Sequence, residues 1–207
     1  MTCVIGIDFD NTIVSYNDVM FETAMRKGWI DKGVKKNKKD IRNKIRQLPN
    51  GETKWQHLQS FVYGKGMERA RLIEGVQEFF QKCRRRQIKI CIVSHKTEWA
   101  NKDRRVNLRK RALRWMRENG FFHRDGLGLT ESQVFFESTR QGKVDRIKDL
   151  GCTHFIDDLE ETFLEESFPK DIKKFLYLPS PDGSTVEGVK IFNTWWDVYE
   201  YFFDTRR

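Results

Sequence analysis

Near its start the chain reads Val4-Ile5-Gly6-Ile7-Asp8-Phe9-Asp10-Asn11-Thr12, an apolar run that ends in two carboxylates one residue apart. A short run of Val and Ile without a polar interruption predicts a fully buried β-strand. Carboxylates at alternate positions repel each other, so their placement at a strand end favours a cation nearby. Asp and Asn also bond to nearby backbone amides, and the same residues therefore fit a turn or a helix cap. This stretch alone indicates a metal or catalytic site, and a turn or a helix cap remains an alternative interpretation.

Length and pattern predict one core domain with an insertion. A chain of 207 residues can build one well-buried domain plus an appendage. Residues 15–73 contain no second core strand, and their apolar residues recur every three or four positions, as in amphipathic helices. We therefore expect residues 1–14 and 74–207 to form the core domain and residues 15–73 to form a helical insertion.

The apolar runs and the cysteines narrow the class of protein. The longest apolar runs are far shorter than the ~20 residues that span a bilayer. The N-terminus, Met1-Thr2-Cys3-Val4, has neither the basic leader nor the apolar region of a signal peptide. The four cysteines have no zinc-site spacing, and we expect them to be reduced. The sequence thus predicts a cytoplasmic protein without a membrane partner.

The net charge of +9 is unevenly distributed along the chain. Residues 26–46 and 82–117 together carry 24 Lys and Arg against 4 acidic residues, whereas the other 150 residues carry 15 against 26. Such asymmetry suggests an anionic ligand or partner on one side of the molecule. Lysine-rich helices are also ordinary solvated surface, so that interpretation stays open.

Helical patterns separate five apolar segments that predict strands. The first segment begins at Val4, and the other four are residues 88–94, 134–136, 154–156 and 174–178. Strands separated by helices form parallel βαβ units, whose carboxyl ends meet at one edge of the sheet. Three of the predicted strands end in polar groups, namely Asp8 with Asp10, Ser94, and Asp157 with Asp158. Convergence on one site explains this coincidence better than separate turns do.

In this order the polar groups resemble the motifs of the haloacid dehalogenase (HAD) superfamily, and specifically of its phosphatases. The resemblance covers roughly residues 1–14 and 74–204 and does not include the insertion. The corresponding residues are Asp8-x-Asp10-x-Thr12 for the first motif, Ser94 for the second, Lys143 or Lys148 for the third, and Asp157-Asp158 for the fourth. The resemblance implies an α/β, Rossmann-like, parallel five-stranded sheet of order 5-4-1-2-3, with a cap formed by the insertion after the first strand.

The resemblance also implies a role for each site residue. Asp8 is expected to be the nucleophile and Asp10 the general acid and base. Mg2+ is the expected cofactor, held by Asp8, the backbone carbonyl of Asp10 and Asp157, with Asp158 orienting a bound water. The expected substrate-binding residues are Thr12, Ser94, His95 and Lys143.

The predicted function is hydrolysis of a phosphate monoester through an aspartyl-phosphate intermediate. A small phosphorylated metabolite is the favoured substrate. Two alternatives stay open: a phosphatase acting on nucleotide or nucleic-acid phosphate ends, because the basic segments could follow a phosphate backbone, and a binding protein without enzymatic activity. The sequence predicts no particular oligomeric state.

Overall fold

The computed structural model describes residues 3–101, 103–180 and 187–204, and its contacts divide the chain into two compact units. The first unit comprises Met1–Val14, Leu72–Lys96 and Met116–Arg207, and the second comprises Ser15–Arg71 and Thr97–Trp115. The sequence places residues 97–115 in the core domain, whereas their contacts group them with the insertion. Packing gives the reason, because Ala100, Val106 and Leu108 form a small apolar cluster with Tyr63.

A six-stranded parallel sheet forms the centre of the first unit. Its strands are β1 (Val4–Ile7), β4 (Lys89–His95), β7 (Val134–Glu137), β8 (His154–Asp157), β9 (Lys173–Tyr177) and β10 (Val189–Phe192). Two short pairs complete the strands: β2 (Val14–Ser15) with β3 (Arg71–Leu72), and β5 (Trp99–Ala100) with β6 (Asp103–Asn107). The sheet order β10-β9-β8-β1-β4-β7 confirms the predicted 5-4-1-2-3 order and adds β10 at one edge. Because β10 is a four-residue edge strand that contains Lys190, its apolar signal is too weak to predict.

Helices make up most of the remaining regular structure, and some of them connect the strands of the central sheet. The seven α-helices among the described residues are α1 (Asn17–Arg26), α2 (Lys38–Arg46), α3 (Gly51–Val62), α4 (Val76–Arg85), α5 (Leu108–Glu118), α6 (Arg140–Asp149) and α7 (Trp195–Phe203). The crossovers through α4 and α6 run in opposite directions along the sheet, so right-handed connections place these helices on opposite faces. Among the residues that the structure describes, no helix is both long and apolar enough to cross a bilayer.

The second unit contains α1, α2, α3, the β5–β6 pair and the first part of α5. Residues 103–107 form β6, and α5 begins directly after them at Leu108. The side chain of Asn107 accepts a hydrogen bond from the backbone N–H of Lys110 (2.9 Å), which caps the first turn. The chain therefore folds back as a hairpin before α5 begins.

Candidate active site

Three neighbouring strands bring the predicted motif residues to one edge of the sheet. β1 lies between β8 and β4, and Ile7 pairs with Ile156 on one side and with Ile92 on the other. Asp8 follows Ile7 directly, and its backbone N–H donates to the Ile156 carbonyl (2.8 Å). Asp157 follows Ile156 in the same register, so the two carboxylates extend from adjacent strands. Residues about 150 positions apart therefore meet at the carboxyl end of the sheet.

A buried lysine from α6 joins these two strands. The Thr139 hydroxyl caps α6 by accepting from the Gly142 N–H (3.0 Å), and Lys143 follows in the first turn. The Lys143 Nζ lies 2.6 Å from Asp8 Oδ1 and 2.7 Å from Asp157 Oδ2. The other candidate for this position, Lys148, is exposed on the same helix. Of the two lysines, Lys143 is thus the one that contacts the candidate site.

Three carboxylates form a group that fits a divalent cation. Asp8, Asp157 and Asp158 each offer an oxygen atom, and these atoms all lie within 4.8 Å of one another. Leu159 donates its backbone N–H to Asp157 Oδ1 (3.1 Å), which orients that carboxylate. An all-oxygen, anionic donor set is the kind that Mg2+ prefers. The side chain of Asp10 is not part of this group, so any contribution from Asp10 would come from its backbone carbonyl.

Burial and charge act on the two central ionisable groups. Burial is the largest influence on Asp8 and raises the pKa of its carboxyl group, with Asp157, Asp158 and Asp10 acting in the same direction and Lys143 against them. Burial alone would lower the pKa of Lys143, but Asp157 and Asp8 outweigh it and raise that pKa above its ordinary value. The lysine is therefore held in its charged form by the carboxylates. A bound cation would act on Asp8 in the same direction as Lys143, because opposite charge favours the carboxylate.

Asp10 contacts a different buried lysine. The Lys96 Nζ lies 2.6 Å from Asp10 Oδ2, and the lysine side chain is almost completely buried while that of Asp10 is 18% exposed. Lys96 is not among the site residues predicted from the sequence, although it follows Ser94 and His95 directly. The signal in the sequence was a cation directly after β4, two residues after Ser94. The first motif thus has one buried lysine for each of its two carboxylates.

The remaining predicted residues occupy different surroundings. Ser94 is buried near the end of β4, where it pairs with Phe136 of β7. His95 is exposed and its Nε2 lies 3.1 Å from the Ser138 carbonyl, and partial burial lowers the pKa of its imidazole despite that hydrogen bond. The hydrogen bond places His95 at the end of β7, and the charges of Lys143 and Asp157 also act on its imidazole.

Thr12 lies inside the loop that follows β1. Its backbone carbonyl accepts a hydrogen bond from Trp195 Nε1 (2.7 Å), which ties the loop to α7. Its hydroxyl is buried and has no hydrogen-bond partner among the described residues. The same loop turns through Asn11, whose φ of 64° lies in the left-handed region that Asn tolerates. The turn comes directly after Asp8 and Asp10, so the chain changes direction once it has passed the two carboxylates.

Comparison with known proteins gives the fold. No protein-family model and no curated protein match the chain. A haloacid dehalogenase-like hydrolase from Streptococcus pneumoniae matches with a TM-score of 0.59 and 14% identity, over 97% of this chain and 98% of that one. A HAD-family hydrolase from Deinococcus radiodurans, solved with bound phosphate and sodium, matches with a TM-score of 0.54 and 13% identity, over 98% and 96%. An L-2-haloacid dehalogenase matches with a TM-score of 0.51 and 8% identity, over 97% and 98%.

At these identities the likeness concerns the fold alone. The chain has the α/β fold of HAD-superfamily hydrolases, as its motifs predicted.

Proposed function

We propose that this protein is a Mg2+-dependent phosphatase that hydrolyses a phosphate monoester through an aspartyl-phosphate at Asp8. The favoured substrate is a small phosphorylated metabolite. The observation that carries the proposal is the placement of Asp8 at the end of β1, in contact with Lys143 and grouped with Asp157 and Asp158. A nucleophile that must approach the negative oxygens of a phosphate ester needs positive charge beside it.

The chain's own residues supply the steps of this reaction. Asp8 would attack phosphorus and form the covalent intermediate, which divides a difficult hydrolysis into two easier reactions. Asp10 would protonate the leaving oxygen and then take a proton from water. Lys143 and the hydroxyls of Thr12 and Ser94 would donate hydrogen bonds to phosphoryl oxygens. Mg2+ held by Asp8, Asp157 and Asp158 would offset the charge of the phosphoryl group when bound.

Dehalogenation is the competing hydrolytic chemistry, because one similar fold belongs to an L-2-haloacid dehalogenase. Halide leaves without protonation, so a dehalogenase has no use for an acid at Asp10. It also has no phosphoryl charge that a cation would need to offset. The second carboxylate of the motif and the three-carboxylate group therefore both favour phosphoryl transfer.

The direct test is hydrolysis of an aryl phosphate by the purified protein, with Mg2+ and with excess EDTA, alongside halide release from a 2-haloacid. We expect phosphate release that requires Mg2+ and no release of halide. Halide release without phosphatase activity would favour the dehalogenase. Absence of both activities over a panel of phosphorylated metabolites would leave the non-enzymatic binding protein as the better interpretation.

A second candidate substrate is a nucleotide or nucleic-acid phosphate end. The second unit carries 21 Lys and Arg against 8 acidic residues, whereas the first carries 18 against 22. Trp99 in this unit is 46% exposed, and Arg104 and Arg105 are exposed nearby in the sequence. Exposed aromatic and cationic side chains are what single-strand binders use to stack bases and neutralise phosphates. This candidate shares the chemistry at Asp8 and differs only in the substrate.

That residues 15–73 form a substrate-selecting cap on a core of residues 1–14 and 74–207 stays a prediction, although contacts group residues 97–115 with residues 15–71. A cytoplasmic location also stays a prediction.

A further inference from the structure

Lys96 has no role in the reaction described above, yet it forms an ion pair with Asp10, which has one. Its side chain is almost completely buried, and its Nζ lies 2.6 Å from Asp10 Oδ2. Its backbone N–H donates to the Glu137 carbonyl at the end of β7 (2.8 Å), and the Glu137 carboxylate is itself paired with Arg146 (2.8 Å). The ammonium group also lies 5.8 Å from the centre of the Phe9 ring. Lys96 is therefore anchored at its backbone and along its side chain.

Burying a lysine in this position costs free energy of folding. An ammonium group buried away from water loses its hydration, and pairing with one carboxylate does not always repay that loss. An apolar side chain of similar length would fill the same space without the penalty. The cost is best explained by what the lysine does to Asp10.

The two lysines of the site divide the first motif between them. Lys143 reaches Asp8 and Asp157 from the first turn of α6, and Lys96 reaches Asp10 from the end of β4. Asp10 lies on the loop after β1, where a carboxyl group without a fixed neighbour can occupy several rotamers. A general acid has to come within about 2.6–3.2 Å of the oxygen that it protonates. Loop placement alone does not ensure that precision.

We propose that Lys96 is a positioning residue that holds the Asp10 carboxyl group where it can reach the leaving oxygen of the substrate. The inference rests on the proposed phosphatase function. It assigns to Lys96 an effect on the proton-transfer work of Asp10 and no direct contact with the phosphoryl group.

The test compares an alkyl phosphate, whose leaving oxygen needs protonation, with an aryl phosphate that has a good leaving group. Lys96→Met keeps the length of the side chain and removes its charge. Since a misplacement of about 1 Å can cost about 100-fold in rate, we expect the single-turnover rate of phosphoryl transfer from the alkyl phosphate to Asp8 to fall by about 10- to 100-fold. In this first step the aryl phosphate should lose far less, whereas the later hydrolysis of the aspartyl-phosphate, in which Asp10 activates water, should slow equally for both substrates. KM should not rise for either substrate. Lys96→Arg, which retains the cation, should recover part of the alkyl rate.

Two further variants separate positioning from general damage. Lys148→Met is the matched control, because Lys148 is exposed on α6, and it should leave both rates unchanged. Adding Lys96→Met to Asp10→Asn should cause no further loss, because the group that Lys96 positions is already gone. If Lys96→Met does not fold, Lys96→Gln takes its place in the comparison. Because Gln keeps a hydrogen-bond donor, the expected loss for the alkyl phosphate is smaller, and it should still exceed the loss for the aryl phosphate.

The outcomes distinguish this proposal from the function on which it rests. Three results would each overturn the positioning role while leaving the phosphatase in place. They are equal losses for alkyl and aryl phosphates in single turnovers, a rise in KM alone, and a further loss when Lys96→Met is added to Asp10→Asn. A wild-type protein that hydrolyses neither phosphate would overturn the proposed function, and the positioning role with it.

Discussion

The two units of this protein hold their charge in different ways. In the first, the decisive charges are buried and paired at short distances, as Lys143 is with Asp8 and Lys96 is with Asp10. In the second, an excess of cations is spread over exposed positions such as Lys35 and Lys39 on and before α2. Buried pairs have fixed geometry and little screening, whereas exposed charges move and are screened by salt. This difference predicts that substitutions of the buried charges in the first unit change the rate of hydrolysis. Substitutions of the exposed charges in the second unit should change little except the binding of anions.

The largest effect is expected at Asp8. Asp8→Asn deletes the nucleophile and should reduce hydrolysis of an aryl phosphate in the presence of Mg2+ to the background rate. The fold should persist, because the amide keeps the shape, reduces carboxylate repulsion and leaves Asp157 to pair with Lys143. Thermal unfolding of the variant serves as the control. A near-wild-type rate in a folded Asp8→Asn protein would remove Asp8 from the nucleophile's role.

The next effect is expected at Asp10. Asp10→Asn should slow hydrolysis of alkyl phosphates by roughly 10²–10⁴, which is the usual contribution of general acid–base catalysis. The loss should be smaller for aryl phosphates in the first chemical step, since their leaving groups need less protonation. Steady-state and single-turnover rates for both substrate types measure this. A loss of the same size for both types in single turnovers would mean that Asp10 serves the metal or the loop structure.

Packing beneath the site gives a smaller, purely structural effect. A Cβ added at Gly6 would lie 2.6 Å from a ring carbon of Phe155 and 2.9 Å from the sulfur of Cys152. Gly6→Ala should therefore lower the free energy of unfolding by about 1–3 kcal/mol, the usual cost of overpacking a core. Chemical denaturation of wild type and variant measures the difference. An unchanged midpoint would show that β1 can shift without cost, and it would weaken the claim that packing fixes the position of Asp8.

The smallest effect on catalysis is expected from the second unit. Changing Lys35, Lys36, Lys38 and Lys39 together to Ser should alter turnover of an aryl phosphate by no more than about twofold, because surface substitutions are usually worth less than ~0.5 kcal/mol. Oligonucleotide binding by the wild type should be weak at physiological salt. A salt series with both proteins checks this, since phosphate-backbone binding falls linearly with log salt concentration. Tight, salt-dependent binding that the variant loses would promote the nucleic-acid substrate over the small metabolite.

The parts of the fold that sequence could predict are those with a strong local signal. The buried strand β1 is a continuous apolar run, β4 contains one from Ile90 to Val93, and β8 contains Phe155 and Ile156. The polar residues at their ends gave the position of the site. The order of the sheet came from the family resemblance. β10 and the β5–β6 pair were missed, because short strands with charged residues do not show a clear period of two.

The candidate site was predictable at its acidic residues and less so at its cations. Asp8 and Asp158 directly follow strands and Asp157 ends one, which is a pattern that the sequence displays. The pairing of Lys96 with Asp10, and the choice of Lys143 over Lys148, depend on which side chains turn inward from a strand end or a first helical turn. Lysines are common on solvated surfaces, so their identity alone does not reveal burial.

The central claim, that Asp8 is a phosphorylated nucleophile, is tested most directly by trapping the intermediate. In Asp10→Asn an aryl phosphate can still phosphorylate Asp8, because its leaving group needs little protonation, but the base that activates water is gone. Acid quenching of this variant with aryl phosphate and Mg2+, followed by digestion and mass spectrometry, should reveal one phosphoryl group on the peptide that contains Asp8. The same treatment of the Asp8→Asn, Asp10→Asn double variant should reveal none. A phosphoryl group on a different residue, or wild-type hydrolysis with no trapped phosphoprotein in Asp10→Asn, would contradict the account.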